Sequence, residues 1–175
     1  MSPHLEKVRA KAERLTSSFS PEDWRYACGG KWSASLVLEH LLLTFTATTK
    51  GTQKAMQGDE PRCRPITWRD RFGKIYVLRL GKIPGGLKSA KSVTPQRGLE
   101  ADNLRQFNDA LVAMDATLND AERRFGRKAK LLDHPVLGPL TAEEWRRFHR
   151  VHAEHHLRQI AARRPAPRQQ LGATA

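Results

Sequence analysis

Four of the chain's seven histidines fall between Trp145 and Gln159, in the run Trp-Arg-Arg-Phe-His-Arg-Val-His-Ala-Glu-His-His-Leu-Arg-Gln. The run reads as a helix, and the four-residue step from His152 to His156 then leaves the two imidazoles about 40° apart on one face, one turn above the other. Two helical histidines so placed can hold one metal ion. They share a stripe with Trp145, His149 and Gln159, flanked by Phe148 and Leu157. If only packing mattered, Leu or Met at 152 and 156 would serve better, because each buried imidazole must find a polar partner. Exposed pairs with this spacing also arise by chance, so a third ligand has to decide the matter.

His40 is the candidate. From Trp32-Ser33 to about Thr49 the spacing predicts a helix in which Leu36, His40, Leu43 and Ala47 share one face, while Val37, Leu38, Leu41, Leu42 and Phe45 make it apolar almost all round. Such a helix is buried in the middle of a bundle. Taken alone, an inward His40 is an ordinary hydrogen-bonded core residue. Beside His152 and His156 it becomes the third of three neutral imidazoles from two helices, which leaves other positions to water or substrate in an open, catalytic-type site.

The elements that must position these residues follow from periodicity. Leu5, Val8, Ala12 and Leu15 mark an amphipathic helix from Pro3 to about Ser18, broken by Ser20-Pro21-Glu-Asp, with a connecting loop through Trp24, Tyr26 and Cys28 to Gly29-Gly30. Gly51 to Pro65 is expected as an exposed loop. Thr67 and Asp70 can cap a short helix through Phe72, Ile75, Tyr76, Leu78 and Leu80 that stops at Gly81, although the β-branched and aromatic residues would also suit a strand. Gly81 to Pro95, with Lys82, Lys88 and Lys91, is a long basic loop, either a lid over a site or a loose surface connection. Leu104, Phe107, Leu111, Met114, Leu118, Ala121 and Phe125 form a heptad seam of packing residues on a long helix ending at Gly126. Leu131 to Leu140 is a turn-rich connection, and Thr141-Ala-Glu-Glu144 a capping box that starts the last helix. With no convincing strand pair, the fold class is all-α. It is a four-helix bundle, with an additional short helix and a long loop between the second and third long helices, over residues 1–164, followed by a disordered tail, 165–175.

The chain has 175 residues, 39% of them hydrophobic, which suits one domain with a sizeable core. A formal net charge of +13 favours acidic encounter partners such as nucleic acid, anionic lipid or acidic small molecules. No compact basic motif of a DNA-reading module stands out, and a cationic surface is often merely solvated. The densest basic cluster, Arg123-Arg124-Phe-Gly-Arg127-Lys128-Ala-Lys130, suits a helix C-terminus by charge alone. Cys28 and Cys63 form no CxxC pair and read as reduced thiols without an assigned role. Leu41-Leu-Leu is far shorter than the roughly 18 residues a membrane span needs, and Pro3-His-Leu-Glu-Lys-Val-Arg mixes charges into the N-terminus, unlike a secretory signal. The expectation is a cytoplasmic protein without a membrane partner.

Three segments, Trp32-Ser-Ala-Ser-Leu-Val-Leu-Glu39-His40-Leu41, His134-Pro-Val-Leu-Gly138-Pro-Leu-Thr141 and His152-Ala-Glu-His155-His156-Leu-Arg-Gln159, resemble the consecutive signatures of the DinB-like superfamily, in particular a branch of bacterial proteins. That branch usually carries an aromatic residue where Leu137 stands. The resemblance implies a metal-binding four-helix bundle, often homodimeric, with a divalent metal, zinc or nickel, held by His40, His152 and His156. His155 matches the pattern but points about 100° from His156, which suits an outer-shell or packing residue. Gln159 can hydrogen-bond a ligand imidazole or a coordinated water, and Glu39 can orient a ligand; the plain alternatives are a polar helix face and a solvated carboxylate. His134 and His149 are expected to be structural or exposed.

Relatives of this kind include metal-dependent thiol S-transferases acting on a low-molecular-weight thiol, which the resemblance extends to this chain as an expectation. Lys82, Lys88 and Lys91 would then attract the carboxylates of the small-molecule thiol. The alternative, favoured by the charge, is a non-enzymatic, stress-associated or nucleic-acid-interacting bundle with a structural metal.

Overall fold

The computed structural model describes residues 1–84, 89–98 and 103–163. These residues form a mostly helical fold with one small two-stranded sheet. Its helices are α1 (Pro3–Thr16), α2 (Pro21–Arg25), α3 (Ala34–Ala55), α4 (Trp68–Lys74), α5 (Asn103–Phe125) and α6 (Ala142–Arg163), with a π turn at Ile75–Arg79 and a 3₁₀ turn at Lys91–Val93. The strands β1 (Leu132–His134) and β2 (Gly138–Leu140) lie between α5 and α6. No helix among the described residues is long and apolar enough to cross a membrane.

One core draws on α1, α3, α5 and α6, with Leu137 and Leu140 of the hairpin and Val77 of the π turn added to it. Leu5, Val8 and Ala12 of α1, Val37, Leu38, Leu41 and Phe45 of α3, Phe107 to Ala121 at heptad spacing on α5, and Trp145, Val151, Leu157 and Ile160 of α6 are all buried in it. The α3–α5 packing is the most extensive, and α1 lies mainly against α6. The heptad seam on α5 is thus packing, as its spacing predicts. The buried face of α3 runs through Val37, His40, Leu41, Phe45, Thr48 and Thr52. This corrects the expected stripe, because Ala47 is exposed and Leu36 and Leu43 are only half-buried. On a helix rich in apolar residues all round, sequence cannot tell which side receives the partner.

Three local expectations are corrected. α3 continues through Gly51 to Ala55; a Cβ at 51 would come within 3.1 Å of Leu132 Cδ1, so glycine here lets β1 approach the helix instead of ending it. The segment after Ser20 is not all loop, since Ser20 and Asp23 form a reciprocal capping box that starts α2. Leu132–His134 and Gly138–Leu140 pair antiparallel, with Leu132 opposite Leu140, where a turn-rich connection is expected. The turn between them is closed by His134 Nδ1, which accepts the N–H groups of Val136 and Leu137 at 3.1 and 3.2 Å. Gly138 has φ +65°, and a Cβ there would lie 2.6 Å from the Asp70 carboxyl carbon.

Asp70 joins this hairpin to α4. It accepts two hydrogen bonds of 2.7 Å from Arg64 and others from the N–H and hydroxyl of Thr67, and these hold its carboxyl well below the usual carboxylate range. The capping box expected at Thr67 is present. Beyond Lys74 the helix widens: the Leu80 N–H bonds back to the Ile75 carbonyl, five residues away, and the segment turns off at Gly81 with φ +65°. The second capping box, Thr141 with Glu144, starts α6 as expected, and Glu144 also receives Lys74 and Lys130. Of the expected tail, residues 165–175 lie outside the described residues, as does residue 164.

Arg146 on α6 is 4% exposed and reaches into α5, donating to Asp115 Oδ1 at 2.8 Å, Asn119 Oδ1 at 2.6 Å and Glu122 Oε2 at 2.9 Å. The other Asp115 oxygen accepts the Ser2 N–H at 2.7 Å. This network ties α5, α6 and the start of α1 together. Breaking a buried ion pair from one side leaves the remaining charge uncompensated. Arg146→Met is therefore expected to lower unfolding free energy by about 3–5 kcal/mol, measured by urea denaturation; a loss within experimental error would mean that Asp115 finds water or another partner.

Candidate metal centre

Helices α3 and α6 bring His40, His152 and His156 together. One ring nitrogen from each can be chosen so that all three lie within 4.8 Å of one another. The Nε2 atom of His152 is 3.3 Å from that of His40 and 3.1 Å from that of His156. His40 is 4% exposed, and the other two residues are half-buried.

The remaining ring nitrogens determine what these atoms can do. Nδ1 of His40 lies 2.7 Å from the Val93 carbonyl, which can only accept, so it carries the proton and Nε2 presents a lone pair. Nδ1 of His156 donates to Gln159 Oε1 at 3.0 Å, and the Gln159 amide nitrogen in turn donates to His155 Nε2 at 2.8 Å. Two lone pairs are therefore aimed at the His152 nitrogen. A proton on His152 Nε2 can serve both only through a divided hydrogen bond, whereas a cation placed among the three satisfies every lone pair. Burial pushes all three imidazoles below their ordinary pKa, His156 to about 4, so they are neutral at pH 7, the form that binds metal. The donor set fits a divalent transition metal.

Packing fixes the rings. Phe148 stacks on His152 with ring centroids 5.3 Å apart and an interplanar angle of 13°, and Trp32 lies 5.3 Å from the His40 ring. His152 Nδ1 is buried and has no hydrogen-bond partner in the protein. Its position thus depends on the Phe148 stack and on whatever its Nε2 holds.

Glu39 acts at one remove from the imidazoles. Its carboxylate accepts the backbone N–H groups of Gln96, Arg97 and Gly98, the last at 2.7 Å, and so pins the segment that follows the Lys91–Val93 turn. Gly98 has φ +73°, and a Cβ there would lie 2.8 Å from Ser35 Oγ, so the segment is held tightly against the start of α3. That segment presents the Val93 carbonyl to His40. Part of the expected loose loop is therefore a wall of the site. Nothing in the sequence marks Val93, because a backbone carbonyl has no side-chain signature; the nearest signal is the acidic residue directly before His40.

The other expected residues fall as follows. Gln159 contacts the His156 imidazole directly, and His155 lies behind it with its ring 5.2 Å from that of His156. His149 is outside the cluster: Nε2 is 2.9 Å from Thr48 Oγ1, the ring stacks on Trp145, and burial pushes its pKa to about 3. His134 packs on Phe148 with ring centroids 4.4 Å apart, and burial pushes it to about 4. Both are structural. Lys82 and Lys91 are exposed, and Lys91 opens the turn that ends at Val93; Lys88 lies outside the described residues.

A mostly helical chain with three histidines converging from two helices is thus the class that the fold and site define. Along residues 2–163 the chain matches the family described as Protein of unknown function (DUF1569), and it belongs to that family. No curated protein and no solved structure matches it.

Removing a group that positions a ligand from outside the coordination shell commonly weakens metal binding about 10–100-fold. Glu39→Ala is expected to lower divalent-metal affinity within that range in competition with a chromophoric chelator, with little change in helix content by circular dichroism. Unchanged affinity would show that the 91–98 segment does not position His40.

Proposed function

We propose that the chain is a metal-dependent protein of the DinB-like superfamily, with α1, α3, α5 and α6 arranged as its four-helix bundle, and that it acts as a thiol S-transferase on a low-molecular-weight thiol. The convergence of three imidazole nitrogens, two of them left as bare lone pairs because their rings carry the proton on Nδ1, carries this reading. His40, His152 and His156 would hold a divalent cation, zinc or nickel.

Such a cation, when bound, lowers the pKa of a thiol and so makes a thiolate available at neutral pH. The residues of the chain do the rest. Val93 and Gln159 hold the protons of His40 and His156 on Nδ1 and keep both Nε2 atoms free to coordinate. Phe148 and Trp32 cover two of the rings and limit water there. The nearest carboxylate in sequence, Glu39, is taken up by backbone amides, and the three ligands are neutral. With no charged ligand among the three, a bound cation would favour an anionic sulfur over a neutral donor. Lys82 and Lys91, both exposed, would attract the carboxylates of a small thiol. A homodimer would agree with the superfamily.

A net charge of +13 supports a second reading, a nucleic-acid-interacting bundle in which the metal is structural. One experiment separates the two. Cobalt-substituted protein is expected to change its visible spectrum when a low-molecular-weight thiol is added, as sulfur enters the coordination shell. An unchanged spectrum, together with salt-sensitive binding of duplex DNA, would overturn the transferase and favour the second reading.

A further inference from the structure

The short helix α4 and the π turn after it face the wrong way for an ordinary amphipathic element. Their inner side is polar or small: Asp70 is 3% exposed beneath the hairpin, and Lys74 Nζ donates to the Pro139 carbonyl at 2.7 Å and to Glu144. Gly73 lies so close to the hairpin that a Cβ would approach Val136 O to 3.0 Å. Val77 is the one large apolar side chain of the element that is fully buried. The outer side carries the aromatic and aliphatic residues. Trp68 and Phe72 are each 65% exposed, Leu80 59%, and Ile75 and Tyr76 more than 40%. At 100° per residue, slightly less through the π turn, these five fall in a stripe roughly 80° wide. Apolar side chains scattered singly over a surface need no explanation, but a contiguous stripe of five does.

The rim of the stripe says what covers it. Arg71 and Arg79 project along one edge and Arg69 along the other, where its guanidinium lies 5.3 Å from the Trp68 ring. From Ile66 to Leu80 the sole acidic residue is Asp70, which is turned inward and paired with Arg64. The surface is therefore apolar in the middle and cationic at both edges, on a chain of charge +13. A second copy would set three arginines against the same three, a like-charge arrangement that opposes association. An anionic lipid surface matches both parts. Trp and Tyr rings settle among headgroups, Phe, Ile and Leu enter the acyl boundary, and arginines lay their stems on apolar surface while their guanidinium groups stay with lipid phosphate.

We propose that the outward stripe of α4 and the π turn docks this protein peripherally on anionic lipid bilayers. Docking is independent of the histidine cluster and requires no membrane-spanning segment. The anchoring of α4 through Asp70, Gly73 and Lys74 leaves the stripe free to enter the headgroup layer without unfolding the core.

The test is cosedimentation of the full chain with unilamellar vesicles of phosphatidylcholine alone or mixed equally with phosphatidylglycerol. It compares the wild type with Trp68→Ser/Phe72→Ser, a double variant of unchanged net charge whose replaced residues are exposed and not needed for folding; unchanged thermal melting by circular dichroism checks this. The wild type is expected to partition onto the anionic vesicles at least tenfold more strongly than the variant, and weakly onto phosphatidylcholine. Brominated lipid should quench wild-type tryptophan fluorescence more than that of the variant. Equal partitioning of both proteins would overturn the proposal, since charge alone would then suffice. So would the absence of wild-type binding, or a wild-type dimer that the double substitution converts to monomer without any effect on lipid.

Discussion

Three imidazole nitrogens that converge in a largely buried place, that of His152 3.3 Å from that of His40 and 3.1 Å from that of His156, cannot all be left with bare lone pairs. Either a proton is divided among them or a cation sits between them. The protein decides against protons on two of the three by giving Nδ1 of His40 and Nδ1 of His156 acceptors of their own, and burial keeps all three rings neutral near pH 7. Much of the surrounding structure maintains this arrangement. Glu39 and Gly98 lock the segment that brings Val93 to His40, Gln159 bridges His156 to His155, and Phe148 fixes the plane of His152.

The scaffold is built so that these demands do not compete with stability. Polar work is segregated into separate networks: Arg146 with Asp115, Asn119 and Glu122, largely buried, joins α5 to α6; Asp70 with Arg64 and Thr67 seats the hairpin on α4; and Glu144 gathers Lys74 and Lys130 at the start of α6. His149 and His134 are spent on packing, each neutralised by burial and given a hydroxyl or amide partner. The Nε2 atoms of His40, His152 and His156 are thereby left to face one another.

Much of this is legible in the sequence, because it rests on periodicity. The helical step between His152 and His156, the seam on α5 and the capping boxes at Thr67 and Thr141 all leave patterns of side-chain type. Other parts leave none. The Val93 carbonyl is a backbone group, and the role of Glu39 is visible only once residues 96–98 are folded back on it. Gly51 looks like a helix end because glycine permits both a stop and a close approach, and only the Leu132 side chain distinguishes them. The sequence leaves the inner face of α3 open because apolar residues surround the helix, and α4 shows an amphipathic pattern whose apolar side points outward. Periodicity reports that a helix has two faces, but not which of them the rest of the chain will cover.

The proposed chemistry rests on one cation shared by His40, His152 and His156. Elemental analysis of purified protein beside the His40→Ala and His152→Ala variants tests this most directly. About one equivalent of a divalent transition metal in the wild type, lost from both variants while their helical circular dichroism persists, is the result expected from a site with three ligands. Stoichiometric metal retained in both variants would contradict it.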